Sequence, residues 1–274
     1  MKLSQTQLSF FHTFGYLALP DLFTADEIGW ITDEFEMVLQ KFGGGALHDG
    51  AKRTIIVPTI DHSERLCTLL DDERVMQVTG GLLGADFSYA SGDGNYYSGD
   101  TQWHPDGGYA ELFAIKLAFY LDPVGPDSGC LRVLPGSHHP DSMWRSGKTR
   151  PADAANWGLA AQELPGNVAL ETRPGDLVVF NHSTWHASFG GSTRRRMFTM
   201  NMIKHGQTPE EIGLVDGYLR HHCPVAHGFK IGGMYTDLML DTAGPERLVH
   251  LQQLFERHAL VHPDGTRPRA FPTR

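Results

Sequence analysis

From Thr54 onward the chain is broken into short β-type runs separated by Gly, Pro and Asp. This punctuation limits the folds open to it more than any other feature. The runs are Thr54–Pro58, Phe87–Ala90, Ala114–Leu121, Cys130–Leu134, Val168–Glu171, Leu177–Phe180 and Met197–Ile203. Many short strands at modest spacing specify a sandwich or barrel rather than alternating β-α units. One helical stretch, at roughly 64–83, interrupts them.

Helical patterning flanks this region. Ser4-x-x-Gln7 and Thr24-x-x-Glu27 are capping boxes. The first opens a short helix carrying Leu8, Phe11 and Phe14. A strand-like Tyr16–Leu19 then stops at Pro20. The second box opens a helix with Ile28, Ile31, Phe35 and Leu39 at helical spacing, ending before Gly43-Gly44-Gly45. Thr208-x-x-Glu211 caps a helix to about residue 221, Glu246–Leu260 reads as another, and the tail from His262 reads as irregular. With no repeat or linker, residues 1–274 are expected to form a single domain.

Hydrophobic residues at 41% and charged residues at 20% suit a globular chain with a sizeable core. A net charge of −9 argues against a nucleic-acid or anionic-membrane partner, since both need a basic face. Cys67, Cys130 and Cys223 form no C-x-x-C pair, so they are expected as buried free thiols. The first residues lack a signal peptide's apolar stretch, and no run reaches the roughly 18 apolar residues of a membrane span. A cytoplasmic setting is expected.

Fifteen histidines invite a metal search. His-Pro-Asp occurs at 104–106, 139–141 and 262–264, so the tripeptide alone decides nothing. The first copy, in Gln102-Trp103-His104-Pro105-Asp106-Gly107-Gly108, follows a β-like segment ending Tyr96-Tyr97 and precedes the strand Ala114–Leu121. Residues i and i+2 at a strand end project to one side, so His104 and Asp106 can offer an imidazole and a carboxylate to one ion. The second copy follows a turn and the third lies in the tail. For both, a structural role is the expectation. A third ligand should come from another strand, and His182 and His186, after Leu177–Phe180, are both candidates. Two histidines and one carboxylate on one face, with positions left open, form the ligand set of iron(II) oxygenases. Arg194-Arg195-Arg196 opens the last strand, and one inward guanidinium there could grip a dicarboxylate through two prongs. Strand alternation places Arg195, Met197 and Thr199 on one face and Arg196, Phe198 and Met200 on the other.

Together these segments resemble the phytanoyl-CoA dioxygenase family of iron(II)/2-oxoglutarate oxygenases. The resemblance rests on Trp103–Asp106, then Gly129-Cys130-Leu131-Arg132-Val133-Leu134-Pro135-Gly136-Ser137-His138, then Gly175–Phe180, then His186-Ala187-Ser188 followed by the arginines. The G-x-L-x-V-x-P-G-S-H run is the most specific of these, and Phe14–Glu27 matches the family's N-terminal pattern. The likeness spans most of residues 5–204.

The resemblance implies a mainly β double-stranded β-helix, a jelly-roll, cupin-like barrel flanked by N- and C-terminal helices. It implies iron ligands at His104, Asp106 and His186, with His182 left beside the ligands or in the core. It also implies 2-oxoglutarate anchored by Arg195, with Arg196 as the alternative, and Ser188 adding a hydrogen bond. His138 and His139 follow a turn that is structural in the family. The expected reaction uses O2, releases succinate and CO2, and hydroxylates a small-molecule substrate such as a secondary metabolite, amino acid or acyl compound. A carboxylate at 106 argues against halogenation, because related halogenases carry a small residue there. A metal-dependent cupin-type isomerase or zinc hydrolase without 2-oxoglutarate is the alternative, and a non-catalytic binding module a further one. Asn95, Tyr96, Tyr97, Gln102 and Trp103 are expected near the metal. Segments 43–62, 140–165 and 205–240, the last with Tyr218, His221, His222 and Tyr235, are expected around the substrate.

Overall fold

The computed structural model describes residues 2–43, 48–107, 114–145, 150–191 and 194–273. Gly44, Gly45, Gly108, Ser192 and Thr193 lie outside the described residues, as do parts of segments 43–62 and 140–165. Among the described residues, eleven strands are distributed over two antiparallel sheets. They are β1 (Tyr16–Leu19), β2 (Thr54–Ile56), β3 (Phe87–Tyr89), β4 (Gly94–Tyr97), β5 (Thr101–His104), β6 (Ala114–Tyr120), β7 (Leu131–Val133), β8 (Val168–Leu170), β9 (Leu177–Asn181), β10 (His186–Ser188) and β11 (Arg195–Lys204). The larger sheet runs β1-β9-β6-β11-β4-β2, with β3 also paired to β11, and the smaller runs β5-β10-β7-β8.

Side-chain alternation gives the central strands two different faces. Cross-strand partners Phe198 and Phe119, Met200 and Leu117, and Leu117 and Val179 share the outer face, which packs against the helices. Met197 and Tyr120, Thr199 and Ala118, and Asn201 and Lys116 pair on the inner face, toward the smaller sheet. The apolar floor between the sheets comes from Ala118, Val178, Leu131 and Val133.

The helices cover the outer face. α1 (Gln5–Phe14) and α2 (Ala25–Phe42) both begin at reciprocal capping boxes, at Ser4 and Thr24. α2 buries Ile28, Ile31, Phe35, Val38 and Leu39 and ends at Gly43. The stretch at 64–83 is not one helix. It forms α3 (Glu64–Cys67), a 3-10 turn at Thr68–Leu70 and α4 (Glu73–Leu83). Asp72 leaves the helical conformation because its carboxylate caps the Arg74 N–H.

Downstream, α5 (Pro209–His222) starts at the Thr208 capping box and is followed by α6 (Asp237–Thr242). The pattern over Glu246–Leu260 is split into α7 (Pro245–Val249) and α8 (Gln252–Val261). The break is where His250 turns to the sheet edge. Its carbonyl accepts from Tyr89 N–H and its ring bonds the Phe87 carbonyl at 2.8 Å. The tail after His262 is irregular apart from a 3-10 turn at Pro263–Gly265. Cys67, Cys130 and Cys223 are buried and unpaired with one another. Among the described residues, no helix is long and apolar enough to cross a membrane.

Candidate active site

β5 and β10 are antiparallel neighbours in a register that sets His104 opposite His186. Neither strand carries an apolar run. Their pairing brings two sequence-distant imidazoles to ring centroids 4.3 Å apart. Asp106, two residues past His104, completes the cluster. Its Oδ1 lies 3.8 Å from His104 Nε2 and its Oδ2 lies 3.6 Å from His186 Nε2. Among the described residues this is the only group of three His, Cys, Asp or Glu side chains able to hold a metal ion, with its donor atoms within 4.8 Å of one another.

The backbone fixes how these imidazoles present themselves. His104 Nδ1 lies 2.7 Å from the Gln102 carbonyl and His186 Nδ1 lies 2.9 Å from the Thr184 carbonyl. An Nδ1–H donated to each carbonyl leaves each Nε2 lone pair facing Asp106. Burial, opposed by the Asp106 charge, drops His186 to a pKa of about 4, so the ring is neutral and free to ligate at pH 7. Burial pushes the Asp106 carboxyl up, but the Lys116 ammonium and the His186, His182 and His104 rings together outweigh it and hold the group well below the usual carboxylate range. Two imidazoles and one carboxylate fit a ferrous ion with positions to spare.

The same cavity, of about 260 Å³, contains Arg195 and Ser188. Arg195 is only 2% exposed. One terminal nitrogen donates to the Gly129 carbonyl at 2.5 Å and to Ser188 Oγ, and Ser188 Oγ donates to the Gly129 carbonyl at 2.9 Å. Arg195 Nε is buried without a hydrogen-bond partner. A buried guanidinium with an unused donor and, among the described residues, no carboxylate on it fits an anion such as the far end of 2-oxoglutarate. Gly129 makes the space for it. Its φ of +86° favours glycine, and a Cβ there would fall on the Arg195 guanidinium.

Arg196 points the other way. It binds Asp122 with two nitrogens, at 2.6 and 3.0 Å, and Glu36 at 2.8 Å. The β11 alternation read from the sequence is the one observed.

Other residues fall differently from expectation. Of the group expected near the metal, Tyr97 lines the cavity, stacked by the guanidiniums of Arg195 at 4.6 Å and Arg53 at 4.3 Å. Tyr96 packs on Phe35 and His48, and Trp103 on Phe189. Gln102 is exposed and contributes only its carbonyl. His182 stands in the cavity wall, bonded to Asn201 at 3.2 Å and held neutral by burial, with a pKa of about 3. His222 reaches the Asp106 carbonyl at 2.8 Å, whereas Tyr218 is buried beneath it and Tyr235 bonds Tyr89. His138 and His139 tie their turn to the His12 and Thr13 carbonyls at the end of α1. His262 bonds the Leu219 carbonyl. The described residues of segment 140–165 do not line the cavity, whereas 43–62 contributes Arg53, Ile55 and Val57.

Sequence reasoning passed over Lys116, Asp93 and Arg53. Lys116 lies in an otherwise apolar strand, yet its ammonium is 2.8 Å from Asp106 Oδ2. Asp93 accepts from Thr199 Oγ1 at 2.5 Å and faces Arg53 at 3.4 Å. A charged residue inside an apolar run was the available signal for Lys116.

The phytanoyl-CoA dioxygenase (PhyH) family profile matches residues 11–198. The ectoine dioxygenase of Sphingopyxis alaskensis is 26% identical over 228 residues, covering 70% of this chain and 72% of that protein. The fold is similar to the α-ketoglutarate-dependent carbocyclase SnoK of nogalamycin biosynthesis, with a TM-score of 0.60 at 21% identity over 74% of this chain and 84% of that one. It is also similar to HygX from Streptomyces hygroscopicus, solved with nickel and 2-oxoglutarate, with a TM-score of 0.61 at 18% identity over 76% and 89% of the two chains. The chain belongs to the phytanoyl-CoA dioxygenase family, and with it to the non-haem iron(II)/2-oxoglutarate-dependent dioxygenases.

Proposed function

We propose that this enzyme hydroxylates a small, polar molecule, with His104, Asp106 and His186 as iron ligands and Arg195, assisted by Ser188, as the 2-oxoglutarate anchor. The observation that carries this reading is one cavity holding both the His-Asp-His cluster and a buried arginine with an unused donor. A cupin-type isomerase or hydrolase needs the first but not the second. The two sheets are read as the faces of a double-stranded β-helix. Residues 1–274 are read as one domain, since α5, α6 and α8 share a core with β6 and β11. A cytoplasmic setting fits three buried free cysteines.

When bound, the ferrous ion and 2-oxoglutarate supply oxidising power from O2, with release of succinate and CO2. The protein's own contribution is placement. The Gln102 and Thr184 carbonyls hold both imidazoles in the Nδ1–H tautomer. Arg195, buried beside Tyr97, Tyr120 and Met197, would grip a carboxylate where a charged hydrogen bond is strong. Thr199 and Arg53 hold the Asp93 carboxylate in the cavity wall, where it can receive a hydroxyl or ammonium of a substrate. Charged groups lining a cavity of this size suit a compact polar substrate better than a long acyl chain. The S. alaskensis relative, an ectoine dioxygenase, supports the same class.

The test is succinate release from 2-oxoglutarate with iron(II) under air, across amino acids, compact zwitterions, acyl thioesters and polycyclic metabolites. Stimulation by compact polar compounds is expected. Stimulation by acyl thioesters alone would contradict the substrate class, and no iron-dependent succinate at all would contradict the reaction.

A further inference from the structure

We propose that Lys116 is a positioning residue that engages one oxygen of Asp106, so that this ligand binds iron through its other oxygen alone. The inference rests on the proposed iron site and goes beyond it. It concerns which residue keeps coordination positions open.

The geometry is asymmetric. Both carboxylate oxygens face a ligand imidazole, Oδ1 toward His104 Nε2 at 3.8 Å and Oδ2 toward His186 Nε2 at 3.6 Å, but only Oδ2 is engaged by Lys116 Nζ, at 2.8 Å. Lys116 is on the inner face of β6, between Asn201 on β11 and Phe180 on β9, in the middle of the larger sheet. Its Cα is fixed by pairing on both sides, so its reach toward Asp106 is set by the sheet rather than by a loop. Its side chain is 15% exposed, as is that of Asp106. An ammonium so placed loses hydration and needs a paired charge to compensate. Asp106 and Asp93 supply the compensating charge. Asp93 is itself fixed by Thr199 and Asn95. The lysine is thus paired with the metal ligand, and the charge of Asp93 in the cavity wall adds to its compensation.

Two consequences follow from charge and geometry. An ammonium beside Asp106 opposes a bare dication at the site, so removing it should tighten iron binding. Freed from Lys116, Asp106 can close on the ion with both oxygens and take a position that 2-oxoglutarate needs. Removing Lys116 should therefore weaken 2-oxoglutarate at the iron-loaded site. A lysine that merely stabilised the fold would weaken both, and one that touched only 2-oxoglutarate would leave iron affinity unchanged.

The experiment compares wild type, Lys116→Met and Lys116→Gln under anaerobic conditions. Iron(II) affinity is measured by competition with a coloured chelator, and 2-oxoglutarate affinity by the visible charge-transfer band of the iron-loaded protein. Lys116→Met is expected to bind iron(II) about fivefold or more tightly and to need about tenfold or more 2-oxoglutarate for half of the band, the usual scale of outer-shell effects. Lys116→Gln, which keeps a donor but not the charge, is expected to move both values in the same directions by less. It carries the test alone if the methionine variant has no cooperative melt. Iron affinity unchanged or weakened in the folded variants would overturn the role. A wild type that binds no iron(II) would instead overturn the proposed site itself.

Discussion

The guanidinium of Arg195 occupies the space that a side chain at residue 129 would fill, and the Gly129 carbonyl is one of its two hydrogen-bond partners. The glycine that opens the G-C-L-R-V-L-P-G-S-H run is thereby a structural condition for the arginine's position. Gly129→Ala should raise the 2-oxoglutarate KM by at least about tenfold while iron(II) binding persists. Arg195→Ala should raise it by roughly a hundredfold, the scale for losing one partner of a buried charged pair. Steady-state succinate assays with varied 2-oxoglutarate check both.

Arg196→Ala should leave the 2-oxoglutarate KM within about twofold, because its guanidinium is engaged by Asp122 and Glu36 on the opposite face. It should instead lower unfolding free energy by roughly 1–2 kcal/mol, as expected for losing a partly buried bidentate pair. Denaturant melts beside the KM measurement separate the two arginines.

The three His-Pro-Asp copies should behave differently. His104→Ala and Asp106→Ala should abolish turnover and remove the iron(II)-dependent rise in melting temperature. His139→Ala and His262→Ala, whose rings serve the Thr13 and Leu219 carbonyls, should keep both. Calorimetry with and without iron(II), under argon, reads this directly.

Much of this division was legible in the sequence. The period-two alternation of Arg195 through Met200 assigns the inward and outward arginines, because a strand has only two faces. Three capping boxes mark the starts of α1, α2 and α5, since each is a local exchange of hydrogen bonds. The break at His250 was hidden for the opposite reason. His250 turns away to serve Phe87 and Tyr89, residues far away in sequence. The pairing of His104 with His186 is likewise a product of sheet register, which short polar segments such as Thr101–His104 do not announce. Lys116 was obscured by its apolar neighbours, whose side chains alternate onto the other face or line the cavity floor.

Stability should depend on pH through Asp61, away from the catalytic cavity. This carboxyl is fully buried, accepts from the Tyr89 hydroxyl at 2.9 Å and has no partner on Oδ2. Burial raises its pKa to about 7. A folded-state value above the unfolded one means that the folded state keeps its proton longer. The contribution is then fully present below about pH 4 and is lost as pH rises through about 7. Asp61→Asn should remove this fall, so the difference in unfolding free energy between variant and wild type should shift in favour of the variant from pH 5 to pH 8. Parallel denaturant curves across that range measure it, and a constant difference would contradict a buried, protonated Asp61.

The most direct measurement is an anaerobic spectrum of the iron(II)-loaded protein titrated with 2-oxoglutarate. A weak visible charge-transfer band is predicted for the wild type. In Arg195→Ala it should appear only at much higher 2-oxoglutarate, and in Asp106→Ala it should be missing. Wild-type protein that holds iron(II) yet develops no band at saturating 2-oxoglutarate would contradict a His104, Asp106 and His186 centre open to this co-substrate.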